Sequence, residues 1–315
     1  MKKNKNKIFI AGHRGLVGSA IIRKLKAKKY TNLIFIDRKK LDLRDQKKVE
    51  KFFKKEKPNK VIIAAAKVGG IKANSEYSAE FIYDNLQIQC NLIHSAYKSK
   101  VDSLIFLGSS CIYPKFSKQP IMEKYLLTGN IEKTNEAYVI AKIAGVKMCE
   151  HYNSQYGTNF KSLMPTNTFG PNDNYNLSSS HFLPALIRKI YDAKINNKYY
   201  IELWGDGKSK RELIYVDDLA EAAIFFLFKK TNINLINIGT NKDFTIENHA
   251  KRIMKMLNVN LKIKYVNKKL KGTPRKILDS SLAYKLGWKP VISIDDGLKI
   301  TIEDFIKNYN KYVNK

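Results

Sequence analysis

Tyr138 and Lys142 stand four residues apart in Tyr138-Val139-Ile140-Ala141-Lys142. On a helix that spacing puts both side chains on one face. A phenol titrates near pH 10 in water, and a neighbouring ammonium favours its ionised form. Tyr138 could then trade a proton with a carbonyl or carbinol oxygen while hydride moves. Taken alone, such a pair is more often an exposed surface pair. Its companions make the difference. An apolar run, Leu104 to Gly108, ends in Gly108-Ser109-Ser110-Cys111-Ile112-Tyr113-Pro114. In open α/β sheets the ligand crevice lies beyond the carboxyl ends of the strands. Ser109 there could hydrogen-bond the same oxygen, or simply belong to a serine-rich turn.

A third group lies near the N-terminus. The apolar run Ile8 to Ala11 leads into Gly12-His13-Arg14-Gly15-Leu16-Val17-Gly18 and then a helical stretch. Glycines spaced three apart allow a tight turn, a close approach to a pyrophosphate and close helix–strand packing. The helix N-terminus would present N–H groups and a positive dipole end to the phosphates. A glycine triplet is weak by itself, but its strand–turn–helix setting points to a dinucleotide. Asp37, at the end of the second predicted strand, could accept from a ribose hydroxyl and favour NAD. Arg14 and Arg38 would favour a 2′-phosphate. The two guanidinium groups weigh toward NADP(H).

The elements that must position these groups alternate in type. Strands are predicted at 8–11, 33–37, 61–65, 104–108 and 160–164, with helices at 16–28, 45–55, 79–98 and 137–156. That rhythm predicts an α/β, Rossmann-like, doubly wound parallel sheet. Beyond residue 168 the rhythm loosens. A loop is expected over 169–180, helices at 182–193, 218–228, 246–257 and 294–308, and strands at 200–204, 235–238 and 262–266. Residues 1–168 thus read as the NADP-binding domain. Residues 169–315 read as a smaller C-terminal α/β lobe, mainly substrate-binding and partly returning to the sheet. Residues 81–97 and 137–149 carry apolar residues on most faces, which favours a homodimer built through a helix bundle.

Composition narrows the function classes. The chain has 315 residues and a net charge of +30. The charge runs along the whole length rather than in one arm, and lysine, asparagine and isoleucine are abundant together, as in a biased composition. Nucleic acid is therefore not the expected partner, while a phosphate-rich small ligand would benefit from the same field. No apolar run approaches the roughly 20 residues of a membrane span, and no signal peptide is legible, so a cytoplasmic protein is expected. Cys90, Cys111 and Cys149 have neither zinc nor disulfide spacing. No metal is expected, and each thiol is expected reduced and buried.

The glycine turn, the strand-end serine and the Tyr-x-x-x-Lys helix resemble the extended short-chain dehydrogenase/reductases. The resemblance is closer to the GDP-L-fucose synthases, the GDP-4-keto-6-deoxymannose epimerase-reductases. It rests on FIAGHRGLVGS (9–19), AAAKVGGI (64–71), FLGSSCIYPK (106–115), AKIAG (141–145), MPTN (164–167), HFLPALIR (181–188) and GTPRK (272–276). It covers essentially the whole chain, and AAAKVGGI and GSSCIYPK are far more specific than the glycines.

The resemblance implies epimerisation of GDP-4-dehydro-6-deoxy-D-mannose at C3 and C5, then reduction at C4 with NADPH. It implies that Ser109, Tyr138 and Lys142 form the reductive set, with Cys111 the epimerisation base and His181 its acid. The C4 carbonyl acidifies the flanking C–H bonds, so one group must remove a proton and another return it. Cofactor contacts are implied for Gly12 to Gly18, Arg38, Leu107, Gly108, Ser109, Ser110, Lys142, Pro165, Thr166, Asn167, Thr168 and His181. Lys189, Trp204, Arg211 and Lys271 are implied to face the GDP-sugar. Lys189 stands where arginine is common, and Lys271 where an acidic residue is found. Other nucleotide-sugar epimerases or dehydratases, and a non-catalytic nucleotide- or nucleic-acid-binding protein, are the competing readings. A 4,6-dehydratase would carry glutamate near the strand-end serine, where this chain has Cys111.

Overall fold

The computed structural model describes residues 6–266 and 273–314, without the side chains of residues 71 and 72. The first half runs β1 (Ile8–Ala11), α1 (Leu16–Ala27), β2 (Leu33–Ile34), α2 (Gln46–Glu56), β3 (Lys60–Ile63), α3 (Ile71–Glu76) and α4 (Ser78–Lys98). It continues through β4 (Ser103–Leu107), α5 (Glu136–Tyr156), β5 (Phe160–Pro165) and β6 (Asn167–Phe169). The second half adds α6 (Phe182–Ile195), β7 (Tyr200–Trp204), β8 (Lys210–Tyr215), α7 (Val216–Phe228), β9 (Leu235–Ile238), β10 (Asp243–Thr245), α8 (Ile246–Met256) and β11 (Lys262–Val266). It ends with β12 (Arg275–Lys276), α9 (Ser281–Lys285), α10 (Ile294–Lys307) and α11 (Tyr309–Val313).

Six strands form one parallel sheet in the order β2-β1-β3-β4-β5-β9. Alternation along the strands builds a core on each face, because successive side chains point to opposite sides. Ile8, Ile10, Ile62, Ile105 and Leu163 face a core shared with α1 and α7. Phe9, Val61, Ile63, Leu104, Phe106 and Phe160 face a second core shared with α2, α4 and α5. A sheet covered on both faces is the doubly wound arrangement expected. The chain order reverses between β1 and β3, the switch point beyond whose strand ends ligands bind in such sheets.

The second half sends β9 back to pair with β5 and builds its own small sheets. β8 pairs with β6, β10 and β12, and β7 pairs with β11. Two local expectations are corrected. The second strand is two residues long rather than five, because the chain leaves the sheet at Phe35 as it turns toward the crevice. Cys90 is exposed on α4 rather than buried, whereas Cys149 is buried. Among the described residues no helix is long and apolar enough to cross a membrane, and no cluster of three His, Cys, Asp or Glu side chains is arranged to hold a metal ion.

Candidate functional site

The glycine turn follows β1 directly. Gly12 has φ +86°, and a Cβ there would lie 2.6 Å from the Ala65 nitrogen beyond β3. A Cβ at Gly18 would lie 2.1 Å from the Gly12 carbonyl oxygen. The turn therefore closes only with glycine at both positions. It leaves the start of α1, capped by Gly15 with no side-chain bond, facing the crevice with N–H groups that lack helical partners. That is a cradle for a pyrophosphate.

Arg14 and His13 from this turn both reach Asp37. Arg14 Nη2 donates to Asp37 Oδ2 at 2.8 Å, and His13 Nε2 lies 3.2 Å from Oδ1. His13 also stacks on Phe35, ring centroids 5.2 Å apart. The carboxylate that could have bound a ribose diol is thus held by two of the chain's own nitrogen-bearing side chains. Arg38 beside it is exposed.

The strand-end group is compact. Ser109 Oγ accepts from the Cys111 N–H at 3.2 Å and caps the short turn 110–112. Lys142 Nζ donates to the Leu107 carbonyl at 2.9 Å and lies 5.8 Å from the Tyr138 ring centroid. Burial pushes the Lys142 ammonium down to about 7. Burial, and then the charge of Cys111, push the Tyr138 phenol well above its ordinary value, against hydrogen bonding from Ser109. This reverses the expectation that Lys142 lowers the phenol. Desolvation is the largest cause for both groups.

Cys111 opens on a cavity of about 130 Å³ lined by Asn135, Asn167, Arg211 and Lys276. Lys276 Nζ lies 3.1 Å from Cys111 Sγ. Burial alone would raise the thiol, but the Lys276 charge and hydrogen bonds from Ser109, Lys276 and Asn135 outweigh it and hold the thiol below its ordinary value. His181 caps α6. The residue keeps an exposed face, with protein around the rest of the ring. Burial and then the Lys276 charge push its imidazole down. The loop before it is tied to the AAAKVGGI segment, because the Gly70 N–H donates to the Ser179 carbonyl at 2.9 Å.

The other implied residues are held by bonds of their own. The Thr166 hydroxyl and the Asn167 amide both donate to the Glu212 carbonyl at 3.1 Å, and the Thr168 hydroxyl bonds the Thr166 carbonyl at 3.2 Å. These bonds fix the turn after β5 beside the crevice. The Gly108 N–H donates to the Leu163 carbonyl at 2.9 Å, and Ser110 is buried. Arg211 lines the cavity, and its Nη1 donates to the Lys210 carbonyl at 2.8 Å. Lys189 sits over the Trp204 ring, 5.6 Å from its centroid, and that ring is 57% exposed and free to stack. Lys271 lies outside the described residues. Lys276 has no role in the sequence reading, although GTPRK ends on it. A lysine distant in sequence shows its partner only once the strands are paired.

Residues 8–239 match the NAD dependent epimerase/dehydratase family. The chain belongs to that family. Within the NAD dependent epimerase/dehydratase family it is similar to GDP-L-fucose synthase 1 of Arabidopsis thaliana, 50% identical over 308 residues, covering 98% of this chain and 95% of the relative. It is similar to the GDP-L-fucose synthase of Escherichia coli, 45% identical over 318 residues, covering 98% and 99%. The solved GDP-L-fucose synthetase of Naegleria fowleri bound to NADP superposes with a TM-score of 0.91 at 27% identity, covering 100% of this chain and 96% of that one.

Proposed function

We propose that the chain is a GDP-L-fucose synthase. It inverts C3 and C5 of GDP-4-dehydro-6-deoxy-D-mannose and reduces C4 with NADPH. The observation that carries this reading is the meeting of two chemistries at Ser109. Its side chain influences the Tyr138 phenol and the Cys111 thiol alike. One set suits reduction of a ketone, the other suits exchange of protons beside it. Full-length similarity to GDP-L-fucose synthases supports the substrate.

NADPH, when bound, supplies the hydride to C4. The residues around the glycine turn fit it, since the cradle leaves no room for a Cβ and Asp37 is already engaged by Arg14 and His13. That engagement turns Asp37 from a ribose acceptor into an anchor for Arg14, which with Arg38 would hold the 2′-phosphate. Leu107 to Ser110, Pro165 to Thr168, Lys142 and His181 would hold the rest of the cofactor.

Cys111, held toward its thiolate, removes the C3 and C5 protons in separate steps as the C4 carbonyl takes up the enolate charge. His181 delivers a proton to the opposite face of each carbon. Tyr138 then protonates the C4 oxygen, a task suited to a phenol that keeps its proton until the oxyanion forms. Ser109 holds that oxygen by a hydrogen bond. Lys142 steadies the site from the Leu107 carbonyl. Arg211 and Lys189 bind the diphosphate side, and Trp204 offers an aromatic face.

Residues 1–168 serve mainly the cofactor and 169–315 mainly the sugar nucleotide. The protein works in the cytoplasm without nucleic acid. It acts as a homodimer through α4 and α5, whose outer faces leave Tyr83 and Ile140 exposed. Incubation with GDP-4-dehydro-6-deoxy-D-mannose and either NADPH or NADH tests the reading. GDP-L-fucose formed with NADPH in preference supports it, and an unepimerised or dehydrated product overturns it.

A further inference from the structure

A thiol acts as a base only through its thiolate, and an isolated cysteine is mostly thiol at neutral pH. Cys111 is also half-buried, which costs a thiolate its hydration. We propose that Lys276 is the positioning residue that keeps Cys111 a thiolate ready for both proton abstractions. The inference rests on reading Cys111 as the epimerisation base.

The geometry is specific. Lys276 Nζ stands 3.1 Å from Sγ. β12 brings it there in parallel register with β8, Lys276 opposite Arg211. The strand is pinned from below. Glu212 Oε2 accepts from the Leu278 N–H at 2.8 Å, and Oε1 accepts from the Thr240 and Asn241 N–H groups at 2.6 and 2.8 Å. Neighbouring residues on the strand divide their tasks, since side chains alternate. Arg275 is ion-paired with Asp243 at 2.6 Å, while Lys276 turns into the cavity.

Among the described residues, Arg211 from β8 and Tyr138 from α5 also bear on this sulfur, and His181 at the start of α6 feels the same Lys276 charge. Glu132 and Lys115 line the same cavity and pair with each other at 2.9 Å. Arg211 is engaged with a carbonyl, and Tyr138 is neutral, so the ammonium in direct contact is the one that decides. Each abstraction converts the thiolate–ammonium pair to thiol and ammonium. Loss of the thiol proton restores the pair before the second carbon is attacked.

Alkylation by iodoacetamide across a pH series, read peptide by peptide, tests this without any sugar substrate. Peptide resolution separates Cys111 from the exposed Cys90. Lys276→Met is expected to raise the Cys111 midpoint by about one pH unit or more and to slow its alkylation at pH 7 about tenfold. Lys276→Arg is expected to restore most of both. The Cys90 profile and NADPH binding should stay as in the parent, which reports an intact fold. Lys276→Gln replaces the methionine variant if that one does not fold. An unchanged Cys111 midpoint in the folded variant overturns the inference, even in a chain that makes GDP-L-fucose. A shifted midpoint supports it even if the product proves to be a different sugar.

Discussion

Tyr138 keeps its proton because its surroundings withhold water from the phenolate, and Lys142 yields its proton readily for the same reason. The pair is therefore set for donation. Tyr138→Phe is expected to cut NADPH oxidation by about a hundredfold or more, since positioned proton transfer contributes on that scale. NADPH titration by fluorescence should be unaltered. Parent-like oxidation would remove Tyr138 from the mechanism.

The Lys142 ammonium also makes a stability statement. Burial holds it at about 7 in the folded chain, below the 10.5 of an ordinary lysine. Between those values the unfolded chain binds more protons, so this residue's contribution to stability rises as pH rises through that window. Lys142→Met should abolish reduction. In urea melts at pH 7 and pH 9 it should also lose the part of the pH-dependent gain that the parent shows. An equal gain in both proteins would contradict the assignment. The sequence motif located Tyr138 and Lys142 but pointed the wrong way on the phenol, because desolvation depends on what covers the pair and the spacing carries no trace of that.

At the scale of elements, long strands and helices with clear periodicity were legible. β7, β9 and β11 fall at their expected residues, and α5 within one residue of its start. β8 was not foreseen. Its opening Lys210-Arg211-Glu212 reads as a solvated charge run, and only the fold supplies the three N–H donors that let Glu212 be buried. β12 is two residues long and exists because β8 offers it a partner. That unforeseen pair of strands carries Arg211 and Lys276 into the cavity. Glu212→Ala leaves three N–H donors without their carboxylate, the Leu278 bond fully buried and the Thr240 and Asn241 bonds part-buried, and is expected to cost about 3 kcal/mol. Denaturant unfolding measures that loss, and a change under 1 kcal/mol (roughly, as for a surface site) would show the nest to be dispensable.

For the whole molecule, the doubly wound sheet follows from strands apolar on both faces, and the two cores confirm why alternation along them is weak. The apolar breadth of α4 and α5 is only partly explained inside one chain. These helices pack against each other and still expose Tyr83 and Ile140. If the proposed homodimer forms through these faces, Ile140→Glu should shift sedimentation from dimer toward monomer, because a desolvated charge in such an interface is strongly unfavourable. A parent-like dimer would place the interface elsewhere. The charge of +30 is spread along the sequence, so its effect belongs to the field around the molecule rather than to the fold.

The union of proton exchange and ketone reduction at one strand end is tested most directly in deuterated water, by counting deuterium at C3 and C5 of recovered sugar nucleotide from two variants. Tyr138→Phe is expected to exchange both positions while failing to oxidise NADPH, and Cys111→Ala is expected to exchange neither. Full exchange at both carbons in Cys111→Ala would contradict the account.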